Sequence, residues 1–404
     1  MRLRHRDGTL VHLAYCTNVH PAEDVDGLLT QVDRYGSAVR RASEVDLLGL
    51  GLWLPAQAAA QLAADPRATE RLRAALRKAG LEVVTLNAFP YAAFHAPVVK
   101  HAVYRPDWTT RERLTYTLDC AHVLTALLPD DAARGSISTL PLGWGATWTD
   151  ADQAAARDNL DRLADGLRDL AGRTGRQVRV AVEPEPGCAI ETTADAVERL
   201  AGVDTEHLGV CLDLCHVATQ FEEPGEAVAR VRDAGLPIVK TQLSAALHAA
   251  APSDDATREA LAAFGEDRFL HQTRERRPLP ADAGRETDDG AATTAVVQRD
   301  DLPDALGGPD PLPGDGPWRV HFHVPLHAQP APPLRSTRGA LVDGAAALVG
   351  GPVALTDHLE IETYTWSVLP PGLRPTDDAG LVAGLAAEVA WTRDRLHELG
   401  LEPA

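Results

Sequence analysis

The sequence predicts an α/β fold of one (β/α)8 TIM barrel, with a β-rich subdomain inserted between its seventh helix and its eighth strand. Three observations predict it. Short apolar runs alternate with amphipathic helical runs eight times along 404 residues, the pattern of a parallel sheet wrapped by its crossover helices. Acidic and imidazole residues recur just after the apolar runs, at the rim where such a barrel carries its chemistry. One interval breaks the rhythm: nearly a hundred residues separate the seventh helix from the eighth strand, and Pro, Gly and Asp crowd the part from Pro278 to Gly316. We assign 278–330 to an insertion at that rim, within a single domain of 1–404.

Each element has its own reason. Val11–Tyr15 reads as the first strand and ends in Cys16-Thr-Asn18-Val-His20. Val25, Leu28, Leu29, Val32 and Val39 recur at helical spacing and predict one helix from Val25 to Ala42. Asp46–Leu54 is the second strand, and its helix comes in two pieces, Ala56–Ala63 and Ala68–Ala79, stopped by Gly80. Leu81–Leu86 is the third strand and opens into Asn87-Ala-Phe-Pro90. The loop holding Tyr91, Phe94, His95, Lys100, His101, Tyr104 and Trp108 is too long for a plain turn and is expected to be functional. The third helix covers 110–127, capped by Thr109 or Thr110.

Gly135–Leu140 is the fourth strand. The fourth helix, Asp150–Thr174, places Leu160, Leu163, Leu167 and Leu170 on one stripe. Val178, Val180 and Val182 alternate in a fifth strand apolar enough to be covered on both faces. Its helix is Ala194–Leu200, with Thr193 as the cap. Leu208–Asp213 is the sixth strand, Gly225–Ala234 its helix, Leu236–Leu243 the seventh strand and Asp254–Phe264 the seventh helix. Inside the insertion, Thr293–Gln298 and Trp318–Pro325 read as strands and Pro311–Gly316 as a mobile loop. Leu359–Tyr364 is the eighth strand and Ala379–Leu399 the last helix.

Composition narrows the function. A formal net charge of -19 repels nucleic acid and anionic membranes, so the expected partner is a small polar metabolite. Five scattered cysteines without a CxxC pair read as reduced thiols in a cytoplasmic protein. No stretch reaches membrane-spanning length, so no transmembrane segment is expected. Nothing in the sequence opposes a homo-oligomer.

The strand ends hold the candidates. Glu183 and Glu185 leave the fifth strand, and an unpaired buried carboxylate costs several kcal/mol unless a cation or a polar ligand meets it. The sixth strand ends in Asp213 with His216 three residues on. The seventh offers Lys240 and Gln242. Two apart on the predicted insertion strand, His321 and His323 share a face, as do Glu360 and Glu362 on the eighth. Carboxylates and imidazoles meeting at one mouth form a ligand set for a divalent ion such as Mn, Zn, Fe or Mg.

On these residues the chain resembles the xylose isomerase-like TIM barrels, which include sugar isomerases, ketose 3-epimerases and endonuclease IV-type phosphodiesterases. The resemblance implies metal ligands at Glu183, Asp213, His216 and Glu362. Gln242 stands where these proteins usually carry His, so His321 or His323 is expected to complete the shell. Within that group the chain is most similar to the EboE-type metabolite traffic proteins, through Ala14–His20, Asn87–Pro90, Gly135–Gly143, Val182–Gly187, Phe269–Gln272 and Val320–Pro325. That likeness implies a role in secondary-metabolite biosynthesis or traffic.

The expected chemistry is isomerisation or epimerisation of a sugar, a cyclitol or their phosphate. Glu185 or Glu360 would serve as general base and Lys240 would steady the enediolate oxygen. Tyr15, His20, Asn87 and His95 would position hydroxyls. The rivals are a small-molecule phosphoester hydrolase and a metabolite-binding protein that has lost turnover.

Overall fold

The computed structural model describes residues 1–278 and 294–404. Eight strands form a closed parallel barrel: β1 (Leu10–Cys16), β2 (Leu48–Trp53), β3 (Leu81–Asn87), β4 (Gly135–Thr139), β5 (Val178–Val182), β6 (Leu208–Asp213), β7 (Ile238–Leu243) and β8 (His358–Ile361). They pair in sequence order, and β8 closes on β1. The barrel and its helices share one continuous apolar core. At the opposite end from the site, Arg2–Arg4 and Glu402–Pro403 add a short antiparallel edge to β1.

The helices follow the sequence closely. The second comes in two pieces, Ala56–Ala64 and Pro66–Ala79, because Asp65 ends one and caps the other. Thr110 caps Arg111–Leu127, and Thr149 forms a reciprocal capping box with Asp152 ahead of Asp150–Thr174. Two readings change. Thr192, not Thr193, caps the helix Thr193–Arg199, because Asp195 three residues on returns the hydrogen bond. The helix over Val25–Ala42 contains a π turn at Val32–Gly36, which carries Tyr35 onto His20.

The insertion is larger than a hairpin over 278–330. Its five-stranded antiparallel sheet runs Thr294–Arg299, Thr273–Pro278, Trp318–Val320, Leu247–Ala249 and Arg335–Ser336. Two of these strands precede residue 278 and one follows 330, so the sheet recruits chain from both flanks. Residues 279–293 of the predicted insertion lie outside the described residues. A helix at Arg338–Val349 leads back to the barrel. Thr273–Pro278 reads Thr-Arg-Glu-Arg-Arg-Pro, with no apolar alternation to mark it as a strand.

What holds that strand is polar satisfaction. Glu275 is fully buried, and its carboxylate accepts from the backbone N–H of Gly314, Asp315 and Gly316 and from Trp318 Nε1, at 2.8–3.1 Å. The Pro311–Gly316 loop, expected to be mobile, is thereby tied to the sheet. Glu275→Ala leaves these donors without an acceptor and is expected to destabilise the fold by about 2–4 kcal/mol, read from urea denaturation followed by tryptophan fluorescence.

Candidate metal centre

Two ligand clusters meet at the carboxyl ends of β5, β6 and β8. In the first, carboxylate oxygens of Glu183, Asp213 and Glu362 all lie within 4.8 Å of one another. Glu183 and Glu362 each follow the last residue of their strand, and Asp213 ends its own. Glu362 is oriented by two amides: Asn18 Nδ2 and Asn87 Nδ2 donate to its Oε1 at 2.7 and 2.9 Å. Asp213 Oδ1 accepts from His216 N and Ser244 Oγ, both at 2.8 Å, because Asp213 caps the short helix Leu214–Thr219. Asp213 Oδ2 and Glu183 Oε2 are buried without a hydrogen-bond partner. Burial and the neighbouring carboxylates hold the pKa values of Glu183 and Glu362 well above the usual range.

The second cluster is made of imidazoles. His216 Nε2 lies 3.0 Å from His321 Nε2, which lies 3.3 Å from His323 Nε2. Each ring's other nitrogen faces a group that can only accept. His216 Nδ1 donates to Pro184 O at 2.8 Å, and His323 Nδ1 to Glu362 O at 2.6 Å. His321 Nδ1 donates to Gln272 Oε1 at 2.7 Å, the amide's orientation being set by Gln272 Nε2 donating to Pro186 O.

The protons are therefore all on Nδ1, and the Nε2 lone pairs of His216 and His323 both face that of His321. Burial lowers all three pKa values, His216 to about 4, so no ring carries a second proton at neutral pH. Facing lone pairs repel unless a cation sits among them. Two nitrogens bound to one tetrahedral ion at about 2.0–2.1 Å stand roughly 3.3 Å apart, which matches this spacing. The Nδ1 acceptors are also what orients metal-binding imidazoles.

The clusters adjoin. Asp213 Oδ2 is 3.8 Å from His323 Nε2, and Asp213 groups with His216 and His323 as well as with the carboxylates. Glu185 groups with His216 and His321, and Cys215 with His321 and His323. Glu185 Oε1 accepts from Tyr104 OH at 2.7 Å, and burial pushes its pKa up to about 8.

A cleft of about 540 Å³, part of it open to solvent, opens onto both clusters. Its polar end is formed by Asn18, Asn87, Glu183, Glu185, Glu362 and the three histidines. Lys100 also lines it and is ion-paired to Asp301 of the insertion.

The remaining candidates lie elsewhere. Lys240 and Glu360 do not line the cleft; Lys240 Nζ donates to Glu360 Oε2 at 2.6 Å in the barrel interior, and both are fully buried. Gly51 makes room for this pair, since a Cβ there would sit 2.1 Å from the Glu360 carboxyl carbon. Gln242 shares β7's inward face with Lys240, in register with Asp213 and Glu360, and neither of its amide atoms has a partner. Its oxygen is thus available beside the carboxylates. Tyr15 OH meets His20 Nε2 at 3.3 Å, and His20 stacks on Tyr35 with ring centroids 4.2 Å apart. His95 packs between Trp53 and Phe94. None of Tyr15, His20 and His95 lines the cleft.

His321 and His323 correct a local reading. The strand ends at Val320, so they share no strand face; their convergence comes from the irregular chain after it. That chain is braced by Glu388 of the last helix, Asp378–Glu398, which accepts from Leu326 N at 2.9 Å and Thr363 Oγ1 at 2.7 Å. Burial raises the Glu388 pKa from 4.5 to about 7. A carboxyl raised in the folded state contributes stability below its unfolded pKa and loses it as pH climbs through the folded one. Relative to Glu388→Gln, the wild type should therefore lose stability between pH 4.5 and 7, by up to about 3 kcal/mol, as thermal midpoints across that range would register.

Asn18, Tyr104, Gln272 and Tyr364 belong to the site although the sequence did not single them out as site residues. Asn18 was legible in principle, as a strand-end amide like Asn87.

The fold has relatives. A family model described as xylose isomerase-like TIM barrel matches residues 39–270, more than half of the chain. The chain belongs to the xylose isomerase-like TIM barrel family. Among solved structures, a protein from Anabaena variabilis described as a candidate sugar phosphate isomerase/epimerase superposes with a TM-score of 0.50 at 14% identity, covering 96% of this chain and 99% of that one. An L-ribulose 3-epimerase gives 0.49 at 12% identity, with 96% and 95% covered. A xylose isomerase-like barrel from Mycobacterium smegmatis, in complex with magnesium, gives 0.48 at 13%, with 98% and 94% covered. At these identities the likeness is one of fold. Comparison with curated proteins finds no match. Among the described residues, no helix is long and apolar enough to cross a membrane.

Proposed function

We propose that this protein is a metal-dependent isomerase or epimerase of a small polyhydroxylated carbonyl compound: a sugar, a cyclitol or their phosphate. The observation that carries the reading is the cation-ready cluster of Glu183, Asp213 and Glu362, with a protonatable carboxyl, Glu185, in the same cleft. Glu183, Asp213, Glu362 and Gln242 would hold one divalent ion, and His216, His321 and His323, sharing Asp213, a second. Such an ion polarises a carbonyl and its neighbouring hydroxyl, which acidifies the C–H between them.

Glu185 moves the proton. Its pKa of about 8 lies close to working pH, where a general base is most effective, and Tyr104 fixes its Oε1. Asn18 and Asn87 lock Glu362, and Asn18 Oδ1 is left without a protein partner, whereas Asn87 Oδ1 accepts from Phe89 N. Lys240 and Glu360 neutralise each other in the barrel interior and touch no substrate atom. The EboE-type motifs support a place in secondary-metabolite biosynthesis or traffic, and five buried free thiols support a cytoplasmic setting.

The test is incubation of metal-loaded protein with aldoses, ketoses and cyclitol ketones in D₂O. Deuterium should enter at the carbon next to the carbonyl, and Glu185→Gln should abolish entry while keeping the metal. Absence of deuterium entry across the panel would overturn the reading. One observation favours a second: Glu185 also lies within ligand distance of His216 and His321. As a ligand there it would extend the imidazole subsite toward the multi-zinc pattern of a phosphoester hydrolase. Release of inorganic phosphate from sugar phosphates, without deuterium entry, would decide for it.

A further inference from the structure

The cleft has two unlike ends. Beyond the ligand clusters, its lining includes Phe94, Val99, Val103, Phe269, Leu270 and Tyr364. Phe94, Phe269 and Tyr364 come from the loop after β3, the insertion and the segment after β8, yet their rings pack as a triad. Centroids lie 5.1 Å apart for Phe94–Phe269, 5.5 Å for Phe94–Tyr364 and 5.0 Å for Phe269–Tyr364. Tyr364 joins the two ends: its ring centroid is 4.7 Å from that of His323 and its hydroxyl 3.5 Å from His321 Nε2. The cation at this end, Lys100, is neutralised by Asp301.

A free sugar or cyclitol carries hydroxyls on every side. Held at the ligand clusters, it would turn its outer hydroxyls toward a wall with almost nothing to pair them, and buried unpaired hydroxyls oppose binding. Resting on the metal-dependent reading above, we infer that the substrate is amphiphilic: a polyhydroxylated head at the ligand clusters, carrying an aromatic ring that packs on Phe94, Phe269 and Tyr364. Tyr364 stands edge to face with both phenylalanines, which are tilted 40° to each other; such a triad suits a flat ring better than a flexible chain, because the ring adds edge and stacking contacts and gives up little conformational freedom.

The experiment uses the full chain loaded with Co²⁺, whose absorption reports occupancy of the ligand clusters separately from binding. Calorimetry then compares D-glucose with 6-O-benzyl-D-glucose, and myo-inositol with 1-O-benzyl-myo-inositol. The benzyl form of at least one pair should bind about tenfold tighter or better, ~1.4 kcal/mol, with a more negative heat-capacity change. Val103→Trp, which fills the apolar end, should erase the preference while Co²⁺ uptake persists. Equal affinities within both pairs, or binding of neither form to Co²⁺-loaded protein, overturns the inference and leaves the metal reading standing. Failure of Co²⁺ to bind at all overturns the metal reading instead, and is told apart by the absent absorption.

Discussion

Asp213→Ala should lower affinity for a divalent ion more than a hundredfold at both subsites, whereas His323→Ala should remove one of two Co²⁺ equivalents and leave the other. The difference follows from position. Asp213 is the one carboxylate common to the two clusters, within 4.8 Å of the oxygens of Glu183 and Glu362 on one side and of the nitrogens of His216 and His323 on the other. Its Oδ1 is fixed by His216 N and Ser244 Oγ, which leaves Oδ2 aimed at the shared space. A ligand held this firmly loses little freedom on binding, so its removal costs the full bond. Loss of a mere orienting partner already costs about 10–100-fold.

The same variant makes a structural prediction that separates the two roles of Asp213. As helix cap it is worth only about 1 kcal/mol. Without metal, the Asp213→Ala protein should therefore melt close to the wild type, and removing a like charge from beside Glu183 and Glu362 offsets part of that loss. With metal, the wild type alone should gain stability, by about 2.7 kcal/mol at a hundredfold excess over the dissociation constant. Thermal midpoints with EDTA and with Co²⁺ check both statements; equal gains in the two proteins would remove Asp213 from the ligand set.

Glu360→Gln should destabilise the barrel by about 3–5 kcal/mol, while the double variant Lys240→Met/Glu360→Leu should recover most of that loss. Lys240 and Glu360 are fully buried and meet at 2.6 Å. Removing the carboxylate leaves an ammonium whose other contacts, Leu86 O and Ser138 Oγ, are each 3.4 Å away. Burial by itself would lower the Lys240 pKa, but the Glu360 carboxylate outweighs it and holds the pKa above its usual value. A raised lysine pKa contributes stability below the unfolded value of 10.5, so the wild-type contribution is flat through the neutral range, whereas in Glu360→Gln burial alone lowers the Lys240 pKa and the deficit should shrink as pH rises. Removing both charges leaves an interior that two apolar side chains can fill. Urea denaturation of wild type, single and double variants gives the coupling directly. A double variant as unstable as the single one would mean that the pair is needed for the shape of the barrel rather than for its charge balance.

Much of the molecule was legible because a parallel barrel imposes it. Val178, Val180 and Val182 marked a strand buried on both faces, and the strict alternation of runs placed the ends of β5, β6 and β8 on one rim. Glu183, Asp213 and Glu362 could be brought together on paper for that reason alone. The insertion was visible as a break in rhythm but not in extent, because Thr273–Pro278 is held by buried charge pairing and carboxylate hydrogen bonds, which leave no apolar periodicity. The short helix Leu214–Thr219 leaves no sequence signal for a similar reason: six residues are too few to show a helical period.

Periodicity in this chain therefore determined the closed barrel, the order of its strands and the rim on which its acids and imidazoles gather. Only the tertiary structure decided depth and partnership. Glu360 and Glu362 are indistinguishable by spacing, yet one lies inside the barrel against Lys240 and the other at the mouth against Asn18 and Asn87. His321 and His323 converge on His216 through irregular chain that no repeat announces. A repeat says which face a side chain takes, because face depends on the local backbone. How deep it sits, and which charge meets it there, depends on residues hundreds of positions away that the folded barrel brings within a few ångströms.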